Sequence, residues 1–299
     1  MDVKHMNIKE SASDKTILFL MYILITVFAL ACLIPFLTVI SSSLSTERSL
    51  LAHGFSIFPK EFSLDAYKLL LNDSTIYKSY GVTIFVTVVG TTLAMLVTCA
   101  MAYPVSLRSL KYRNFINFYV FFTMLFHGGL VSTYILITKY LGMKDSIWVL
   151  IIPALINPFN MFLLRNFFKS IDESLAESAK IDGANEIYIM FRIMIPISLP
   201  AMATISLFYA IAFWNKWFEA MLYLSNQDLF PLQYLIKRIL DNADFSKQLA
   251  AGVSLPNFIP PTLTTRMATT VVTIGPIIFL YPFLQKYFVK GLLVGAVKG

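Results

Sequence analysis

Charge is scarce in this chain: 24 Lys and Arg and 17 Asp and Glu make up 14% of its 299 residues. So thin a supply of charge excludes an ordinary water-soluble globule, whose surface is rich in it. Cysteine is rarer still. Cys32 and Cys99 both fall inside long apolar runs, where a thiol behaves as a small apolar group, and they point to neither a disulfide nor a metal. The 12 Gly and 13 Pro gather at the ends of apolar runs and at expected bends, with no tandem repeat and no low-complexity stretch, which excludes a solenoid or an extended linker. No Gly-x-x-x-x-Gly-Lys-Ser/Thr phosphate loop occurs, nor a paired Asp, His-Glu-x-x-His or Gly-x-Ser-x-Gly signature. The expectation is a chain that is not an enzyme, hydrolyses no ATP and holds no metal or cofactor of its own.

What the chain does have is apolar length. Hydrophobic residues make up 57% of it, and the mean hydropathy is +0.70. A helix needs about 20 mostly apolar residues to cross a bilayer with its backbone self-satisfied, and six stretches qualify: 17–40, 80–103, 115–138, 147–164, 198–224 and 267–288. The first is too long for a signal-peptide core, and Ser41-Ser-Ser-Leu offers no convincing cleavage site, so a retained helix is expected. The reading is an all-α membrane protein, a single transmembrane domain over 1–299. Lys4, Lys9 and Lys15, and the acid-free turn with Arg108, Lys111 and Arg113, belong on the cytoplasmic side, so both termini are expected there. The net charge of +7 then reads as topology and membrane-lipid contact rather than nucleic-acid binding.

Pro153 and Pro158 in the fourth run, and Pro276 and Pro282 in the sixth, each remove a backbone donor and favour a bend. Beyond the fifth run, Leu232, Leu235, Ile236, Ile239 and Leu240 come after Pro231 at helical spacing. They predict an amphipathic helix on the outer membrane surface or against the bundle. Leu255-Pro-Asn-Phe-Ile-Pro-Pro-Thr262 is stiffened by its prolines, either to reach an external partner or as a plain connector.

Between the fourth and fifth runs, from Arg165 to Ile197, lies a polar loop longer than a minimal connector needs. Asp172 suits an N-cap, with Glu173 and Glu177 in the first turns where the helix dipole favours acids. Leu175, Ala176 and Ala179 give a modest apolar stripe. Asp182-Gly183 ends the helix, Gly tolerating positive φ and Asp able to cap the next helix.

Glu177-Ser-Ala-Lys-Ile-Asp-Gly-Ala184, with Phe191, Ile193 and Pro196 beyond it, resembles the EAA loop of the inner-membrane permease subunits of ATP-binding-cassette importers. Ser178 replaces the family's middle alanine, one small residue for another. The resemblance implies the type I importer permease fold with six transmembrane helices and a cytoplasmic coupling helix at 172–196. That helix would seat in a groove of a nucleotide-binding subunit, with Glu177 pairing with a basic residue there, Ala179 and Ala184 allowing close approach, and Gly183 forming the corner. It also implies partners: a second permease subunit, two ATPase subunits carrying ATP and Mg, and an extracytoplasmic sugar-binding protein. Trp214-Asn-Lys-Trp217 is similar to the Trp-Asn-x-Trp feature of maltose-type carbohydrate importers. Phe159-Asn-Met-Phe-Leu-Leu-Arg165 and the tail from Tyr281 to Gly299 resemble the branch that carries oligosaccharides and polysaccharide breakdown products. In maltose-type relatives such a tail reaches between the ATPase subunits; a frayed end is the other reading.

Polar groups inside a membrane are costly, which singles out Asn215, Lys216 and Glu219 in the fifth run. Lys216 and Glu219 can pair on one face, with Trp214 and Trp217 sharing a neighbouring face. Rings beside amides and charges suit a sugar, but also an interfacial aromatic belt with a self-satisfied ion pair. His127-Gly-Gly129 in the third run is a further pathway candidate, or a packed neutral His at a kink. The competing function is an ion-gradient-driven secondary transporter, which requires acids buried deep in the spans; only Glu219 comes near this.

Overall fold

The computed structural model of the protein describes residues 12–71, 74–239, 241 and 263–274. The sixth run beyond 274 with Pro276 and Pro282, the Pro-rich stretch 255–262, Leu240 and the tail 281–299 lie outside the described residues. The described chain is helical, with one isolated bridge between Ser45 and Phe62. It forms two compact units, 12–70 with 263–272, and 71–241 with 273 and 274.

In the smaller unit, α1 (Ala12–Ser43) is the first apolar run, longer at both ends than the expected 17–40. Residues 17–35 are exposed along its length, the surface a helix presents to acyl chains. Pro35 sits within α1, and Thr38 Oγ1 donates to the Pro35 carbonyl at 2.7 Å. Thr46 then caps α2 (Glu47–His53) by accepting the Ser49 N–H at 3.1 Å. Gly54, at φ 73°, ends it, and α3 (Asp65–Leu71) comes next. The Glu47 carboxylate accepts from the N–H groups of Leu263 and Thr264 at 3.0 and 2.9 Å and from the Thr264 hydroxyl at 2.7 Å. It thereby caps the start of the helix at 263–274, where a negative charge offsets the dipole.

The larger unit is organised around α4 (Ser74–Ser106), a second unbroken helix long and apolar enough to cross a membrane. The third run is α5 (Arg113–Leu125) and α6 (Gly129–Ile135), the latter continued by a wide turn at Leu136–Tyr140. The two halves meet at 110°, because the helix stops at Phe126 and restarts through Gly129 at φ 81°. The fourth run also breaks: short turns at Ile147–Leu150 and Ile152–Ala154 precede α7 (Pro158–Ser170), bent from them by 47°. Pro158 opens α7 at its first position, where its missing N–H costs nothing. α7 runs to Ser170, so the polar loop starts later than Arg165. Next come α8 (Glu173–Ile181), α9 (Glu186–Ile189), a wide turn at Met190–Met194 and α10 (Ile195–Ile197). The chain then bends 85° into α11 (Leu199–Trp214). After Asn215 and Lys216 the fifth run resumes as α12 (Trp217–Tyr223). Two described helices are long enough to span, or up to five spans if each bent pair counts as one.

α7 and α11 pack along α4 around Val86, Met95, Leu150, Met161, Leu164, Ile205 and Phe213. Gly90 makes the closest approach possible: a Cβ there would lie 2.8 Å from the Phe213 ring. The helix at 232–239 lies against this bundle, with Leu232, Leu235 and Ile236 buried and the Leu232 N–H donating to Thr83 Oγ1 at 2.8 Å. Of the two placements its periodicity allowed, the bundle is the one observed. Pro231 precedes it, its carbonyl accepting from Tyr234 and Leu235 at 3.0 Å.

Asp145 fastens the loop before the fourth run. At φ 59°, its carboxylate accepts the N–H groups of Ser225 and Asn226 at 2.9 and 2.8 Å, and these bonds hold its carboxyl below the usual aspartate range. The clasp is therefore complete above the ordinary aspartate value and fades as pH falls through the lower folded one. The protection of the Ser225 and Asn226 amides, read by mass spectrometry as exchange relative to the intrinsic rate at each pH, should fall on acidification through that window and be low at all pH values in Asp145→Ala. In the core, Gly90→Ala should cost about 1–3 kcal/mol by overpacking. The measurement is the melting temperature of the detergent-purified protein, with recovery expected when Phe213→Leu is added.

Candidate functional site

The polar loop is built from the corner outward. Asp172 accepts the Ser174 N–H at 3.0 Å and so caps α8. At the other end the N–H of Gly183 donates to Lys180 O at 3.0 Å and that of Ala184 to Ala179 O at 2.9 Å. This paired pattern with Gly183 at φ 85° is a Schellman turn, in which glycine supplies the left-handed residue. Asn185, not Asp182, caps α9, accepting the Tyr188 N–H at 2.8 Å. Asp182 instead takes the C-cap position of α8, because the Schellman turn needs two residues after it before a new helix can start.

Ala176, Ala179 and Ala184 pack on the core, whereas Leu175 is exposed, so the apolar stripe is narrower than expected. Glu177, Ser178, Asp182 and Gly183 all face outward. Ile181 at the tip is 87% exposed. Beside it a cleft of about 570 Å³ is lined by Ala179, Gly183, Ala184, Asn185, Tyr188 and Arg192. Pro196 lies in α10 at the foot of the loop, just before the 85° bend.

Glu186, which sequence reasoning passed over, ties the loop to the bundle. Its Oε1 pairs with Lys180 Nζ of α8 at 2.6 Å, and its Oε2 accepts from the Tyr103 hydroxyl of α4 at 2.7 Å. Tyr103 is itself held edge-on against Phe168 of α7, at 5.9 Å between centroids. A second tie runs from Arg108 to Glu173 at 2.9 Å. An acid at the first turn of a helix three residues after a glycine corner was the available signal.

The intramembrane candidates separate. Lys216 and Glu219 pair as expected, at 2.6 Å. Trp214 and Trp217 do not share a face: the helix breaks between them, burying Trp214 and leaving Trp217 exposed, with Lys237 Nζ 5.7 Å from its ring centre. The Trp214 indole N–H is buried with no partner among the described residues. Asn215 Nδ2 donates to Ile211 O at 2.9 Å. His127 lies exposed at the break before α6, so the kink is present and the packing around it is not. Of this group only Lys216 reaches a cavity of about 470 Å³, shared with Asn157, Phe159, Asn160, Phe208 and Tyr209. Asn157-Pro158 inside an apolar run, a cap and then a first-turn proline, was the legible sign of that site.

Residues 7–294 match the family described as binding-protein-dependent transport system inner membrane component. The chain is 45% identical over 285 residues to a polygalacturonan/rhamnogalacturonan transport system permease protein, YtcP, of Bacillus subtilis, covering 94% of this chain and 97% of that one. It is 44% identical to the protein LplC of the same organism over 267 residues, covering 89% of this chain and 90% of that one. Among solved structures it resembles a chain from a bacterial ABC transporter involved in the import of the acidic polysaccharide alginate. There the TM-score is 0.81 at 32% identity, over 93% of this chain and 99% of that one.

Removing the Glu186 carboxylate strands two donors, Lys180 and Tyr103, on different helices. Glu186→Ala should loosen α8 from α4, read as roughly several-fold faster tryptic cleavage after Lys180, while Glu186→Gln, which can still accept from Tyr103, should fall between it and the wild type.

Proposed function

The chain belongs to the family of binding-protein-dependent transport system inner membrane components, and from that premise we propose that it is the permease subunit of an ATP-driven importer of oligosaccharides. The names of its relatives, a polygalacturonan/rhamnogalacturonan permease and an importer of the acidic polysaccharide alginate, point to fragments of such polysaccharides as cargo. The partners in this reading are a second permease subunit, two ATPase subunits that hold ATP and Mg, and an extracytoplasmic binding protein that delivers the sugar. The basic amino-terminal segment and the turn at 108–113 face the cytoplasm, which puts the loop at 172–196 on the same side.

The observation that carries the coupling assignment is the Schellman corner at Gly183, which presents Glu177 and the bare tip at Ile181 away from the bundle. An exposed apolar residue at a rigid turn, flanked by an acid with no ion pair among the described residues, suits insertion into a groove with a basic rim. Closure of the ATPase pair would push on α8, and the Lys180, Glu186 and Tyr103 contacts would carry the push to α4. An ion-gradient transporter fits less well, since Glu219, the acid nearest the required position, is neutralised by Lys216.

Gly183→Val forces a β-branched residue into positive φ and should remove the corner. In vesicles carrying the assembled importer, sugar uptake and binding-protein-stimulated ATP hydrolysis should both fall to background, with the subunit still present in the membrane fraction. Uptake at the wild-type rate would sink the coupling assignment.

A further inference from the structure

We propose that the cavity at the start of α7 is a subsite for the carboxylate of an acidic sugar unit, so that this subunit itself touches the cargo. The proposal rests on the importer reading above and adds to it a place and a chemistry.

The first observation is Asn160. It is 4% exposed and lines the cavity, yet its side-chain amide makes no hydrogen bond among the described residues. A polar group so enclosed is costly unless something satisfies it. Neighbouring Asn157 spends its Oδ1 on the Asn160 N–H at 3.1 Å, which leaves its own amide nitrogen for a ligand.

The second observation is electrostatic. α7 is a 13-residue helix whose amino end opens at this cavity. Asn157 Oδ1 takes the Asn160 N–H and Pro158 has no N–H, so the first-turn amide of Phe159 is the donor left open at the positive end of the dipole. Lys216 reaches the cavity from the break between α11 and α12 and uses one of its three ammonium donors on Glu219. The Lys216–Glu219 pair keeps the empty cavity close to neutral, and the remaining donors are free to meet an incoming anion. A broken membrane helix with its amino end aimed at a substrate carboxylate is a workable design in a low-dielectric setting. Phe159 and Phe208 supply flat apolar faces for the CH side of a pyranose ring. A neutral sugar would use the rings and amides but would have no need of the ammonium or the helix end.

The test uses the complete importer, with its second permease, ATPase pair and binding protein, in proteoliposomes fed trigalacturonate. The exchanged pair K216E/E219K keeps an ion pair but turns a carboxylate toward the cavity, and Asn160→Leu removes the amide at similar size. Assembly is checked by co-purification of the ATPase subunits. Each variant should lower trigalacturonate uptake roughly tenfold or more, the scale of a lost charge-assisted hydrogen bond. Uptake at the wild-type rate in the exchanged pair overturns the subsite. Where that variant fails to assemble, Lys216→Arg against Lys216→Gln decides: retention in the first with loss in the second supports the subsite, and equal rates overturn it. Wild-type vesicles that take up maltotriose but no trigalacturonate overturn the carboxylate assignment alone, and vesicles that take up neither overturn the importer reading.

Discussion

Three stretches of chain meet at the hydroxyl of Tyr209 on α11. It shares a hydrogen bond with Thr98 of α4 at 2.8 Å and accepts the N–H of Asn157 at 3.2 Å, just where α7 begins. In an apolar bundle a backbone N–H released by a helix break needs a partner, and at the break before α7 this hydroxyl receives it. The positions of Asn157 and Asn160, the direction of α7 and the space beside Lys216 all depend on that contact. One turn further along α11, Gly90 of α4 lets Phe213 close the packing.

The two ends of the larger unit solve different problems with the same vocabulary of interrupted helices. At the loop between α7 and α9 the interruption is a glycine turn that pushes side chains outward. At the cavity it is an asparagine cap and a proline that turn donors inward. In the proposed function, the first would be a face that can be pushed and the second a lining for polar cargo, both built from polar atoms that broken helices expose in an apolar chain.

Much of this could be read from residue order. α1 and α4 enclose the first two of the six runs that composition picked out, since uninterrupted hydrophobicity and continuous helix coincide there. The corner at Gly183 and the pairing of Lys216 with Glu219 were legible because each depends on neighbours three or four residues away. Pro153 and Pro158 marked the bend in the fourth run and His127-Gly-Gly129 a kink in the third, and what composition hid was the size of these breaks. The third run carries His127-Gly-Gly129 at its break, yet no windowed reading of hydropathy registers a bend of 110°. Trp214 and Trp217 looked like one face only on the assumption of unbroken helix through Asn215. Asp182 read as the cap of the next helix, and only the number of residues consumed by the turn moves that role to Asn185. Tyr103 and Glu186 are 83 positions apart, beyond any local pattern.

The cap that Glu47 places on Leu263 and Thr264 joins residues 216 and 217 positions apart. A ribosome delivers Glu47 long before Thr264, so this bond waits on 217 further residues of synthesis. The amino-terminal helices must therefore hold their place in the bilayer throughout synthesis without it. Its closure ties the start of α2 to the start of the helix at 263–274, so one carboxylate records that both segments are in place.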